Sequence, residues 1–542
     1  MTRLIPRSPH STLRVFTSCL LSFMLLMTPL ATLAASLKSA TPLKSAHAST
    51  EKAALPVTES TAVAESAKVE HVSSSPGLFN MFAPAPLPVG TVTATLKDIF
   101  TDADGDGKAD KGQTITYEAV ITNSTGASIT GTTFTDTPDA NTTLDPNTVH
   151  ASPVAFDDTY NWVGNTVLDT SARSLSSIIS NDTISTAPDT IVLNTTPASG
   201  PSHGSVTISA NGHFVYTPAV GYTGDDSFTY TISNSADNTL VGTGTVTIHM
   251  PNRIWYLQGG APAAGDGRSN TPSNDPAAIS GLANSATDVF YVFSSGTTLN
   301  GPFTLNDSQQ LLGQGVALNL AGFGQLFAAG STPTIGTTVA ATNSVTLGSG
   351  NTLSGFNIGT TTGTAITGSS VGALNISLVS INTTGGGLDL TGVGSPTVSI
   401  SLGGLTSSGG AKNVNLVGLN GTISLASGAL SGSTAGASNH AFAVSGGNAT
   451  VTYSGTITKA TNGNVVNISS HTGNAITLSG NINGNGSSGI SFSSNSGGTV
   501  DLTGTITLNS GGINATNNTG GTFNFTNATK TLNTTGTTAV NL

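Results

Sequence analysis

From Leu374 onward the chain repeats itself about every 24 residues, and that period limits what it can fold into. The pairs Leu374/Ile376, Val398/Ile400, Ile423/Leu425, Val451/Tyr453, Ile476/Leu478, Val500/Leu502 and Phe523/Phe525 begin 24, 25, 28, 25, 24 and 23 residues apart. A second series keeps step at Leu388/Leu390, Val414/Leu416, Phe442/Val444, Val466/Ile468, Ile490/Phe492, Ile513/Ala515 and Val540/Leu542. Between them recur Gly455/Ile457, Gly480/Ile482 and Gly504/Ile506, and weaker copies stand earlier at Phe303/Leu305, Leu318/Leu320 and Val345/Leu347. Residues i and i+2 of a strand share a face, so each pair points inward. The residue between them, such as Asn375, Thr477 or Asp501, points out. Three short strands per repeat predict a right-handed parallel β-helix over residues 303–542. The few side chains that one rung buries cannot offset the entropy of ordering about 24 residues, so stacking is obligatory.

The rest of the chain also reads as β structure. Of its 542 residues only 8% are charged, 66 are Gly, and Thr, Val and Ile are abundant, a composition that favours strands over disorder. The formal charge is −11 with no basic cluster, which argues against nucleic acid and anionic membrane surfaces as partners. Residues 1–35 carry Arg3, Arg7 and Arg14, an apolar run Cys19–Met27, and small residues at Thr32, Ala34 and Ala35. That is the pattern of a secretory signal peptide, since the run is too short for a membrane anchor. Its removal takes Lys+Arg from 16 to 13 against 27 acids, giving −14, and removes the only cysteine. No later segment could span a membrane, so the expected location is extracellular, at the cell surface or associated with the outer membrane. Residues 36–89 read as a low-complexity leader ending in a Pro-rich linker.

Short strands and turns then suggest two β-sandwich modules. In the first, residues 90–152, the stretch Lys97–Tyr117 followed by Ile121-Thr-Asn123 and Phe134-Thr-Asp136 resembles the bacterial surface repeat known as domain of unknown function eleven. That resemblance implies an immunoglobulin-like fold in a large exported protein. In the second, residues 153–250, Pro201–Ile208, Asn211–Pro218, Gly221–Ile232 and Gly244–Ile248 resemble the tandem cadherin-like repeats of bacterial adhesins. Asn211-Gly212 is a hairpin turn, and Phe228 and Tyr230 share a strand face. Residues 251–302 contain the strand Arg253–Leu257, a Gly265-Asp-Gly267 loop, a short helix begun by Asn274-Asp-Pro276, and the strand Asp288–Phe293. This order resembles the start of pectate-lyase-like β-helices, and the helix would cap the open core. No corresponding cap follows Val540/Leu542, which implies a longer parent chain with further C-terminal domains, or a separate cover for that end.

Chemistry-bearing residues are sparse. Glycan-cutting β-helices need clustered charge: acidic calcium ligands with a basic residue for lyases, paired carboxylates for hydrolases. From Phe303 to Leu542 the chain holds Asp307, Asp389, Asp501, Lys412, Lys459, Lys530, His440 and His471, with no Glu or Arg. They read as scattered solvent-facing polar residues. The aromatic residues Phe356, Phe442, Tyr453, Phe492, Phe523 and Phe525 fall on inward positions. The better-formed candidate site is Asp102-Ala-Asp104-Gly-Asp106-Gly-Lys108-Ala-Asp110. Its acids occupy positions 1, 3, 5 and 9 of a calcium loop, with Gly107 at the sharp turn and the Lys108 carbonyl as a further ligand. Gln113 at position 12 and flanking strands exclude an EF-hand; the alternative is an Asp/Gly-rich surface turn. Asp157, Asp158, Asp182, Asp225 and Asp226 are secondary metal candidates, with turn and strand-end aspartates as the alternative. No nucleophile–base pair or phosphate loop is apparent. The expectation is an all-β, non-enzymatic exported protein: two immunoglobulin-like modules, stiffened by calcium if the Asp102–Asp110 loop binds it, and a β-helix stalk facing cell-surface, matrix or glycan ligands. The competing reading is a polysaccharide lyase or hydrolase.

Overall fold

The computed structural model describes residues 149–542, apart from 187, 263, 264, 433 and 535. Upstream it describes chiefly the strands Val92–Ile99 and Gln113–Asn123, which pair antiparallel. Nearly all of the described chain is β structure, with one helix.

The first complete unit is a sandwich of seven strands. One sheet holds Leu168–Asp169, Phe214–Pro218 and Gly204–Ile208; the other holds Ile191–Leu193, Gly224–Asn234, Val241–Met250 and Asp158–Asn161. Alternation decides the faces. In Gly224–Asn234 every second residue is buried, which sends Phe228, Tyr230 and Ile232 inward against Phe214 and Tyr216 of the facing sheet. Phe214 and Phe228 meet edge to face, 5.3 Å between centroids. The hairpin expected at Asn211-Gly212 joins Ile208 to Phe214, and Gly212 supplies the left-handed φ of +80° that the turn requires. Contacts of this unit reach back to His150, whose ring donates to Asp189.

The second unit is a parallel β-solenoid of about ten turns. Its first-strand series runs from Ile254–Gln258 to Gly520–Phe525. The second series follows it around a bend to Lys530–Leu532, and the third forms a separate ten-stranded sheet from Phe303–Thr304 to Val540–Asn541. The third series keeps the register read from sequence: Leu388, Val414, Phe442, Val466, Ile490, Ile513 and Val540 stack directly. With strands ~4.8 Å apart, ten turns make a rod of roughly 45 Å. One apolar core runs along it from Trp255 to Ile513, with Phe523, Phe525 and Leu532 partly buried against its end.

Two sequence expectations need correction. In the first series Ile400 stacks on Ile423, while Val398 faces Gly421. The alignment of Leu374 and Val398 with Ile423 is therefore two residues out, and the structural step there is 23 residues. Strand Thr397–Ser407 is apolar at 398, 400 and 402, and a shift of two preserves the face, so periodicity alone cannot fix this register. Leu318/Leu320 is not a rung. Leu318–Leu320 pairs antiparallel with Gly324–Phe327 as a hairpin inserted in a 42-residue turn, from Leu311 to its stacked partner Leu353. Phe303 and Val345, by contrast, do stack in the third series.

Helix Pro276–Leu282 begins as the sequence implies. Asp275 accepts from the backbone N–H groups of Ala277 and Ala278, Pro276 occupies the first turn, and Ile279 is buried in the solenoid core beside Trp255. The recurring Gly-x-Ile has a steric cause. A Cβ on Gly455, Gly480 or Gly504 would collide with the carbonyl of the glycine one turn earlier, Gly428, Gly455 or Gly480. These glycines are required by close backbone approach. Gly480→Ala is expected to destabilise the solenoid by about 1–3 kcal/mol or more. Gly404→Ala, where the added carbon meets only Ser427 O at 3.6 Å, is expected to change the urea midpoint little. Equal midpoints for the two variants would refute the steric account.

Candidate functional site

The calcium-loop residues Asp102, Asp104, Asp106, Lys108 and Asp110 lie outside the described residues. Among the described residues no group of three or more His, Cys, Asp or Glu is arranged to hold a metal ion.

The sandwich aspartates fall into two groups, and most serve as acceptors for the sandwich's own backbone and hydroxyls. Buried Asp226 takes the N–H groups of Ser202, His203 and Ser227 and the Tyr216 hydroxyl. Neighbouring Asp225 pairs with His249. On the other side, Asp157 accepts from Thr245 N at 2.7 Å, and Asp182 accepts from Phe156 N at 2.8 Å and from the Tyr230 hydroxyl. Burial first, and then the neighbouring Asp182 charge, push the Asp158 carboxyl up to about 7. Burial raises Asp182 to about 6, against the bonds from Phe156 and Tyr230.

The contact between sandwich and solenoid is a shared core. Strands Ile254–Gln258 and Val289–Phe293 are buried on both faces. Trp255, Leu257, Phe290 and Val292 point into the solenoid, whereas Ile254, Tyr256, Val289 and Tyr291 pack outward with Trp162, Tyr160 and Ile248 of the sandwich. The inserted hairpin closes this second core with Leu318, Leu326 and Phe327. Arg173 donates to Gln325 O and Leu326 O, both at 2.9 Å. Arg253 ties four elements together. Its guanidinium grips Asp288, itself 1% exposed, through bonds of 2.7 and 3.0 Å, donates to Gly221 O at 2.7 Å, reaches Asn284 beyond the helix, and lies over Trp255. The backbone is hydrogen-bonded across the seam as well: Gly164 pairs with Arg253 in a parallel bridge, and Ser269 N, two residues after the Gly-Asp-Gly loop, donates to Asn165 O.

A groove of about 530 Å³ runs along the outward face of the third-series sheet. There Thr367, Asp389, Asn415, Ala443 and Asn467 stand in register on five successive strands. Asp389 accepts from the Asn415 amide at 2.7 Å and faces the Lys412 ammonium at 3.8 Å. His440 accepts from Asn464 N at 3.2 Å through Nδ1, leaving Nε2–H as its donor. Burial first, and then the charges of Lys459 and Lys412, hold its pKa below the usual histidine value. The corner between Ala429–Gly432 and Phe442–Ser445 has nine residues, against six and five at the next two corners. Buried Lys459 braces this loop by donating to Thr434 O and Thr461 Oγ1. Three residues read from sequence as scattered, Asp389, Lys412 and His440, are thus neighbours lining one recess. The trace of this in the sequence is the 28-residue step from Ile423 to Val451, the longest of the regular repeats. Asp501 lies on the first-series face with Asn524 donating to it at 2.7 Å, and His471 is buried at a corner of another turn.

Residues 150–250 match the model of the Bacterial cadherin-like domain. No curated protein matches the chain, and no solved structure does.

The titrations have opposite signs in the two units. Asp158 and Asp182 bind protons more tightly in the folded sandwich than at the ordinary value of 3.8, so their contribution is fully present below that pH and is lost as pH rises through about 6–7. Burial lowers the pKa of His471, so the stability tied to its neutral ring is present above 6.5 and is lost as pH falls below it. Asp158→Asn is expected to raise the urea midpoint more at pH 8 than at pH 5. His471→Asn extends the ladder in which His471 N donates to Asn495 and Asn495 N to Asn518. It is expected to help more at pH 5 than at pH 8. A reversed pH preference in either variant would contradict these assignments.

Proposed function

We propose that this chain is an exported, non-enzymatic surface protein in which a cadherin-like module and a β-solenoid form one stiff, adhesin-like stalk. The observation that carries this reading is the shared core at the seam. A module joined by a flexible linker would leave Tyr256 and Tyr291 facing water, and here both are fully buried. The bacterial cadherin-like match supports a surface role. No helix among the described residues is long and apolar enough to cross a membrane, which says nothing of a β-barrel. Export rests on residues 1–35, and calcium stiffening on Asp102, Asp104, Asp106, Lys108 and Asp110; both belong to the proposal. Hydrolysis by paired carboxylates calls for two acids about the scissile bond, whereas Asp389 is the one carboxylate among the described residues that line the groove.

Two measurements test this reading. Protease added to intact producing cells is expected to remove the chain, and full protection would contradict surface display. Arg253→Ala strands a buried Asp288 charge and cuts the bond to Gly221. It is expected to cost about 3–5 kcal/mol and to loosen the sandwich from the rod, seen as a larger radius of gyration in X-ray scattering. An unchanged scattering profile with unchanged stability would remove Arg253 from the account.

A further inference from the structure

We infer that the groove floored by Ala443 binds an uncharged oligosaccharide. Two departures from the regular repeat coincide in one turn. Along the outward ladder Asp389, Asn415, Ala443, Asn467, a single position loses its polar side chain, and Ala443 opens the floor. In the same turn the corner loop lengthens to nine residues and raises a wall carrying Ser438 and His440. Lys459, a cation with no exposed surface, holds that wall by its Thr434 carbonyl. Burying an ammonium for a loop of no use is costly, which sets this corner apart from the shorter ones that follow.

The lining selects the ligand class. It offers a carboxylate acceptor at Asp389, donors at Lys412 and His440 Nε2, an amide at Asn467, and hydroxyls at Thr367 and Thr391. Side-by-side donors and acceptors match the paired hydroxyls of a sugar ring, each of which both gives and takes a hydrogen bond. The lining itself is close to neutral: Lys412 offsets Asp389, His440 accepts at Nδ1 and so carries a single ring proton, and the Lys459 ammonium is buried behind the wall on Thr434 O and Thr461 Oγ1. An acidic glycan would find one lysine already engaged and, from residue 303 onward, no arginine in the chain. An apolar ligand would leave these polar groups unpaired. Five strands at ~4.8 Å give a channel of roughly 20 Å along the rod axis, long enough for several linked sugars. No aromatic residue is among the described residues that line it, so recognition rests on hydrogen bonds and affinity is expected to be weak.

This inference deepens the surface reading by giving the stalk a ligand, and its test is independent of where the chain resides. The full chain is titrated calorimetrically with neutral tetrasaccharides of glucose, galactose and mannose, and with tetragalacturonate as the acidic comparator. At least one neutral probe is expected to bind. Asp389→Asn is expected to weaken it at least about tenfold, and Ala443→Leu, which fills the floor, to abolish it. Asp501→Asn has the same Asp–Asn contact on a face outside the groove and is expected to bind as the parent does. Circular dichroism and urea midpoints establish that each variant is folded; if Ala443→Leu is not, Asp389→Asn still decides. Absence of binding by every neutral probe, tighter binding of tetragalacturonate, or binding indifferent to Asp389→Asn would overturn the proposal. Failure here in a chain that protease still strips from cells would remove the ligand and leave the stalk.

Discussion

Parallel in-register stacking is the constraint from which the solenoid's composition follows. Each residue meets the same position of the next turn about 4.8 Å away, so every choice is made once and then faces its own copy. Inside, this favours branched and aromatic residues that fill a continuous core from Trp255 to Ile513. At the bend before the second series it selects glycine at 455, 480 and 504, because the carbonyl of one turn fills the space where a Cβ of the next would stand. Outside, it penalises charge, since like charges in a ladder repel across one strand spacing. Asp389 and Asp501 obey the rule: the next turn offers each an asparagine amide rather than another acid. The scarcity of charge is therefore a packing requirement before it is a statement about chemistry.

A stacked coil must also begin somewhere, and its first strands have no preceding turn to cover them. Helix Pro276–Leu282 covers the interior through Ile279. The outer face of the first two strands is covered by the sandwich and by the hairpin Leu318–Phe327, with Arg253 and Asp288 as the charged pin between them. The cadherin-like module thus serves the solenoid as a structural cover. In the proposed stalk, a bending force would meet a packed seam rather than a linker.

Much of this was legible from residue order. The β-sandwich over residues 153–250, the hairpin at Asn211-Gly212, the helix after Asp275 and the third-series register all follow from alternation, turn chemistry and capping, which are local. Places that depend on a distant partner were harder to read. Ile254-Trp-Tyr-Leu257 and Val289-Phe-Tyr-Val292 lack the alternation of later rungs, the mark of strands buried on both faces, yet nothing nearby says what covers them. Leu318/Leu320 imitates a rung because an i, i+2 apolar pair is the same signal in a hairpin. The groove is assembled from Asp389, Lys412 and His440, which are far apart in sequence and adjacent only after stacking; the 28-residue repeat was its one visible sign.

The central claim is that sandwich and solenoid are a single packed body, and the two tryptophans report on it directly. Trp162 is buried in the sandwich and Trp255 in the first solenoid turn. Urea unfolding would be followed by fluorescence in Trp162→Phe and Trp255→Phe variants, each retaining one reporter. The account predicts that the two transitions share a midpoint once each is referred to a common circular-dichroism curve. A sandwich reporter that melts well before or after the solenoid reporter would mean that the seam does not couple them.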